Sequence, residues 1–184
     1  MGSDSGSDGQ EREDDERDVE VVDDGAHDEA LEELRANYRF AVVCNFTRLF
    51  TKQLQIRPFS SEQLEQALVK PEANRNFVGE LHFKLLRIDA AAPFNERDAD
   101  VWETLLYDKL NARWEGIWDA NPMHDKTYWT LNHDSRLGIL HQLCEWRLEE
   151  CEAVRNFIKS TVRPVLSPQG PRAPNSRSAA ARRG

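Results

Sequence analysis

Between residues 29 and 162 the apolar residues of this chain return every three or four positions, and nowhere do they hold a strict alternation with polar ones. Such spacing gathers side chains on one side of a helix, whereas a half-buried strand needs a period of two. The pattern restricts the chain to an all-α fold. The first stripe runs Ala30, Leu34, Tyr38, Ala41/Val42, Phe46 and Leu49/Phe50, one continuous helix over residues 29 to about 54. Arg57-Pro58 ends it, because proline disfavours a helical residue before it. A second, short helix opens with Ser60 as N-cap, Gln63 as its reciprocal partner and Phe59 with Leu64 as a hydrophobic staple. It stops before Pro71.

A third helix is expected over residues 76–88, with Phe77, Leu81, Leu85 and Ile88 on one side, broken by Ala90-Ala91-Ala92-Pro93. A fourth is expected over 96–118, carrying Trp102, Leu106, Leu110, Trp114 and Trp118, and stopped by Asn121-Pro122. A fifth covers 135–148, with Asp134 or Ser135 as its cap, and a last one covers 150–162. The expected architecture is a compact bundle of about six helices.

Charge divides the chain differently. Net charge is −9, yet residues 1–29 hold thirteen acids against two arginines, and residues 161–184 hold five arginines and no acid. The acidic end has too little apolar surface to offset the entropy of ordering it. The stretch from Pro164 is rich in proline, small residues and arginine. Four segments are therefore expected: a disordered acidic tail (1–28), a helical domain (29–118), a helical extension packed on it (119–162) and a disordered basic tail (163–184). The near-neutral middle argues against a domain that grips DNA through its average charge. No apolar run approaches the roughly 18 residues of a membrane helix, and no secretory signal opens the sequence. Three cysteines, Cys44, Cys144 and Cys151, fit a reducing compartment.

Catalytic signatures are missing. The sequence holds no phosphate-binding glycine loop, no dinucleotide fingerprint, no nucleophile elbow and no zinc-protease motif. His141-x-x-Cys144 with Cys151 supplies three potential zinc ligands where a structural site needs four. Cys44 sits in the apolar run Phe40-Ala41-Val42-Val43-Cys44, where burial makes a thiol inert. His82, between Leu81 and Phe83, reads as a hydrogen-bonded helix histidine. The chain is expected to be no enzyme and to need no cofactor or metal.

What remains is surface for partners. Trp118 and Trp129 bracket an expected loop at Asn121–Lys126, and tryptophan is enriched among anchors at protein interfaces. Lys84, Arg87, Lys109, Arg113, Arg136 and Arg147 are the bases that folding would have to gather into a DNA-facing surface. The terminal Arg172, Arg177, Arg182 and Arg183 would add salt-sensitive phosphate contacts. Against either role stands the plain one: tryptophans in a core, and bases as ordinary surface charge.

Five pieces in order resemble a known family. Phe40-Ala41-Val42-Val43-Cys44-Asn45-Phe46-Thr47-Arg48-Leu49-Phe50 is similar to the opening helix of DDT domains, and Phe59-Ser60-Ser61-Glu62-Gln63-Leu64-Glu65-Gln66-Ala67-Leu68 to their short second helix. Glu80-Leu81-His82-Phe83-Lys84-Leu85-Leu86 resembles the third, followed by Trp102-Glu103-Thr104-Leu105-Leu106. Arg136-Leu137-Gly138-Ile139-Leu140-His141-Gln142-Leu143-Cys144-Glu145-Trp146-Arg147-Leu148 resembles the WHIM-like helix that follows DDT segments in chromatin-remodelling subunits of the remodelling-and-spacing-factor and cat-eye-syndrome-region type. The resemblance implies a nuclear, non-catalytic subunit that docks onto an ISWI-type (SNF2-family) remodelling ATPase and supports transcription regulation, with linker DNA or histones touched indirectly. The alternative is a module that contacts linker DNA itself. Neither implies a membrane or a small-molecule substrate.

Overall fold

The computed structural model describes residues 24–87 and 98–166. Most of both expected tails, the break at Ala90–Pro93, and the expected ends at Ile88 and Glu96 lie outside these residues. Among the described residues all extended regular structure is helical: α1 (Asp24–Ala36), α2 (Tyr38–Leu49), α3 (Thr51–Leu54), α4 (Ser61–Val69), α5 (Arg75–Leu86), α6 (Asp98–Arg113), α7 (His133–Glu150) and α8 (Glu152–Leu166). Short 3-10 turns lie at Glu72–Asn74 and Tyr128–Thr130. The all-α expectation holds, with eight helices among the described residues rather than six.

The added breaks have local causes. Asn37 stands extended (ψ 119°) and its side chain accepts the Arg39 N–H, so it caps α2 and cuts the first stripe. The second interruption, at Phe50, is slight. Phe50 donates to the Phe46 carbonyl and Leu54 to that of Phe50, so α3 nearly continues α2. Gln55 then turns left-handed (φ 51°) and stops the run. As expected, Ser60 caps α4 by accepting the Gln63 N–H at 3.2 Å; Phe59, expected to staple to Leu64, packs edge-on against Phe77.

Four expected boundaries move. α6 ends at Arg113, short of Trp118, because Gly116 takes a positive φ (79°) and Ile117 and Trp118 both turn back to the Trp114 carbonyl. The cap of α7 is Asn132, whose side chain accepts the Ser135 N–H at 2.8 Å, in place of Asp134 or Ser135. At the ends, α1 begins at Asp24 and α8 continues to Leu166, so helix reaches a few residues into both segments expected to be tails.

The long α7 is the central element, touching α1, α2, α4, α5 and α8, while α5 packs on α6. Leu34, Val43, Leu54, Leu64, Leu85, Leu106, Leu137 and Val154, one from each described helix, meet in a single buried core. Each such side chain contributes about 1.5–3 kcal/mol of burial. One arm of that core is aromatic: His82, Trp102 and Tyr128 stand with ring centroids 4.6–5.2 Å apart.

Candidate protein-docking interface

Folding does not gather the six candidate bases into one exposed patch. Lys84, Arg136 and Arg147 are buried. Arg136 works as an internal clamp, donating to the carbonyls of Leu68 (2.6 Å), Trp129 (2.7 Å) and Tyr128 (3.3 Å). It thereby satisfies backbone acceptors left open at the end of α4 and in the 3-10 turn. Arg147 is fully enclosed, and none of its three guanidinium nitrogens has a hydrogen-bond partner. Burial lowers the pKa of both guanidinium groups. On the surface, Lys109 and Arg113 converge on one carboxylate, Glu150, each at 2.6 Å, beside the Trp146 ring. Arg87 lies over the Phe83 ring at 4.8 Å. Sequence spacing places these bases on helices, but half of them face inward.

The two candidate tryptophans separate as well. Trp129 is held in the structure: its indole N–H donates to Glu103 at 3.0 Å, the other Glu103 oxygen accepts the Tyr128 N–H, and Arg75 stacks on the ring at 4.5 Å. His82 joins the aromatic arm it faces. Its Nδ1–H donates to the Val78 carbonyl at 2.8 Å, which fixes the neutral tautomer, and burial pushes its pKa down to about 4. A ring so enclosed has no route to act as a base.

Trp118 borders a groove. Its half-buried indole stands with Ile117 and Pro122 on one side of a depression of about 360 Å³; Tyr38 and Arg39 stand on the other. The floor is the outer side of α7, with Asp134, Ser135, Gly138, His141 and Gln142. Gly138 leaves the floor low: a Cβ there would sit 3.7 Å from the Arg39 guanidinium and 4.0 Å from the Trp118 indole nitrogen. One end is closed where Asn37, the α2 cap, donates to Asp134, the second residue of α7, at 3.1 Å. Nearby, His133 pairs with Glu33 of α1 at 2.8 Å. Burial lowers the His141 pKa against the pull of Glu145, and Arg39 adds to the lowering. Tyr38 is 66% exposed and meets the His141 ring edge-on at 6.0 Å. An exposed tyrosine, a half-buried tryptophan and a neighbouring arginine form the kind of concave, mixed surface that anchors a protein partner.

Tyr38, Arg39 and Ile117 are not among the sequence candidates. The apolar stripe places Tyr38 in a core, but the Asn37 cap restarts the helix and leaves Tyr38 at its outer first position. Ile117 reads as helical and inward, and the Gly116 turn carries it out. Among the described residues no group of three or more His, Cys, Asp or Glu is placed to hold a metal ion. Burial raises the pKa of both Cys44 and Cys144.

With this geometry in place, comparison with known proteins adds a family context. Residues 119–159 match the family model WHIM1, the first motif of a set named after WSTF, Itc1p and MBD9 among others. These residues include the loop after Trp118 and all of α7. Remodeling and spacing factor 1 of Homo sapiens is 29% identical over 126 residues, which cover 65% of this chain and 8% of that relative. The chain thus matches less than a tenth of the length of this curated relative. No solved structure matches. In sequence the chain is similar to Remodeling and spacing factor 1, and in its α7 region to the WHIM1 motif.

Proposed function

We propose that this chain is a non-catalytic nuclear subunit of an ISWI-type chromatin-remodelling complex, and that it docks onto the SNF2-family ATPase through the groove between Tyr38 and Trp118. On this reading residues 29–118 form a DDT-like domain and 119–162 a WHIM-like extension packed on it. The observation that carries the proposal is an overlap: the WHIM1 match begins beside Trp118, and its central helix α7 provides the floor of the groove. The similarity to Remodeling and spacing factor 1 supports the same direction.

The linker-DNA alternative has less behind it. Three of its six bases are interior, and two more share the charge of Glu150.

Co-purification of the tagged full chain from nuclear extract, with mass spectrometry of the bound proteins, tests the proposal. Enrichment of a SNF2-family ATPase that falls with Trp118→Ala is the expected result. Absence of any such ATPase overturns it.

A further inference from the structure

α8 begins as a core helix, and its apolar stripe comes to the surface by Val162. Val154 is fully buried, yet the same apolar stripe continues through Phe157, Ile158 and Val162, the last 47% exposed. Phe157 still leans on Phe50, ring centroids 5.8 Å apart, and so joins α8 to the junction of α2 and α3. There the neighbouring Leu49 is 59% exposed. Scattered exposed leucines need no explanation, but a helical stripe that starts inside a core and runs out of it is an unfinished packing surface.

On α2, α3 and α8, which border the stripe, bases outnumber acids. From Tyr38 to Leu54, α2 and α3 contain no acidic residue, and their bases are Arg39, Arg48 and Lys52. On α8 the one acid, Glu152, sits in the first turn, while Arg155 and Lys159 flank the uncovered stripe. Arg48 donates to Asn45 at 3.3 Å, and Arg57, which lines a pocket with Arg48, is held by Glu80 at 2.6 Å. Lys52, Arg155 and Lys159 are exposed, with no ion pair among the described residues.

We infer that the exposed stripe of α8, with Leu49 and the flanking Lys52 and Lys159, is a second docking surface, and that its occupant is an acidic amphipathic helix of a partner protein. The apolar centre decides against nucleic acid. Phosphates would answer the lysines but leave Leu49, Ile158 and Val162 facing water, whereas a helix with leucines on one side and glutamates on its flanks covers both. Opposite charge at the edges would set its orientation and speed its encounter. This surface is separate from the Trp118 groove and stands whether or not the groove binds an ATPase.

The test uses the full chain and three fluorescent peptides of about 20 residues, long enough to form a helix on binding. One is an amphipathic helix with leucines at three- and four-residue spacing and glutamates elsewhere; one has lysines in place of the glutamates; one scrambles the acidic peptide. The acidic helix is expected to bind at least roughly tenfold tighter than either control. The same loss is expected from Leu49→Ser with Ile158→Ser, and from Lys52→Glu with Lys159→Glu, both at exposed positions that leave the helical circular dichroism unchanged. Trp118→Ala should have no effect. Equal binding of the scrambled or lysine peptide, or indifference to either pair of substitutions, overturns the inference. Three other outcomes assign a different occupant and overturn it too: a dimer in sedimentation that Leu49→Ser with Ile158→Ser abolishes, displacement of the peptide by a short DNA duplex at physiological salt, or tighter peptide binding once residues 1–23 are removed.

Discussion

The guanidinium of Arg136 donates to the carbonyl of Leu68 at 2.6 Å, across 68 residues of chain. With the carbonyls of Trp129 and Tyr128 on its other nitrogens, this one side chain ties α7 to the end of α4 and to the 3-10 turn. Arg136→Ala would leave the Leu68 and Trp129 carbonyls open, while that of Tyr128 keeps the Leu131 N–H. We expect a loss of roughly 3 kcal/mol or more, read as a lower midpoint in urea unfolding. Arg136→Lys keeps the charge without the forked geometry and should recover only part of it. A loss below about 1 kcal/mol for the alanine variant would show that the clamp is not needed.

Arg147, three turns further along the same helix, predicts the opposite sign. Its guanidinium is enclosed with no hydrogen-bond partner, so the cost of removing it from water is uncompensated. Arg147→Met keeps the length and the apolar stem. It should leave stability unchanged or raise it by roughly 1–3 kcal/mol in the same unfolding measurement. A large loss would mean that the charge is stabilising where it lies.

His82 gives a pH dependence. Its folded pKa, about 4, lies below the ordinary value of 6.5, so between those values the unfolded chain holds a proton that the folded one excludes. Stability is then complete above about pH 6.5 and falls as the pH drops toward 4. Between pH 6.5 and 5 this single group removes about 2 kcal/mol. In His82→Phe that part of the slope should vanish; a slope unchanged from the parent would refute the assignment.

Gly138 separates folding from docking. Its Cβ position has only ordinary contacts, so Gly138→Ala should stabilise α7 by roughly 0.5–1 kcal/mol through helix propensity. Gly138→Leu extends into the groove between Arg39 and Trp118. It should keep the thermal unfolding midpoint of the parent while weakening whatever binds there.

Helices were legible in the sequence because apolar spacing records the inward side of each one, and Ser60 could be read as a cap from its own neighbours. Boundaries set by a single backbone angle were not. Nothing in the stripe of residues 29–54 shows that Asn37 will turn extended and expose Tyr38, or that Gly116 will end α6 early and carry Ile117 outward. The charged residues were the least legible. Arg136 and Arg147 look alike in sequence to Arg113, yet the first is a clamp, the second is sealed in, and the third lies at the surface with Glu150. Which side of a helix is covered depends on elements dozens of residues away. The groove was therefore visible in one residue only, Trp118, and its other walls came from contacts no local pattern encodes.

The proposed docking of a remodelling ATPase in the groove between Tyr38 and Trp118 can be measured directly. The most direct measurement is a binding titration of the purified full chain against a purified ISWI-type ATPase, with the parent, Trp118→Ala and Gly138→Leu compared side by side. Saturable binding by the parent and at least a roughly tenfold weaker Kd for both variants at unchanged folding are expected. No binding by the parent, or equal affinity for all three, would contradict it.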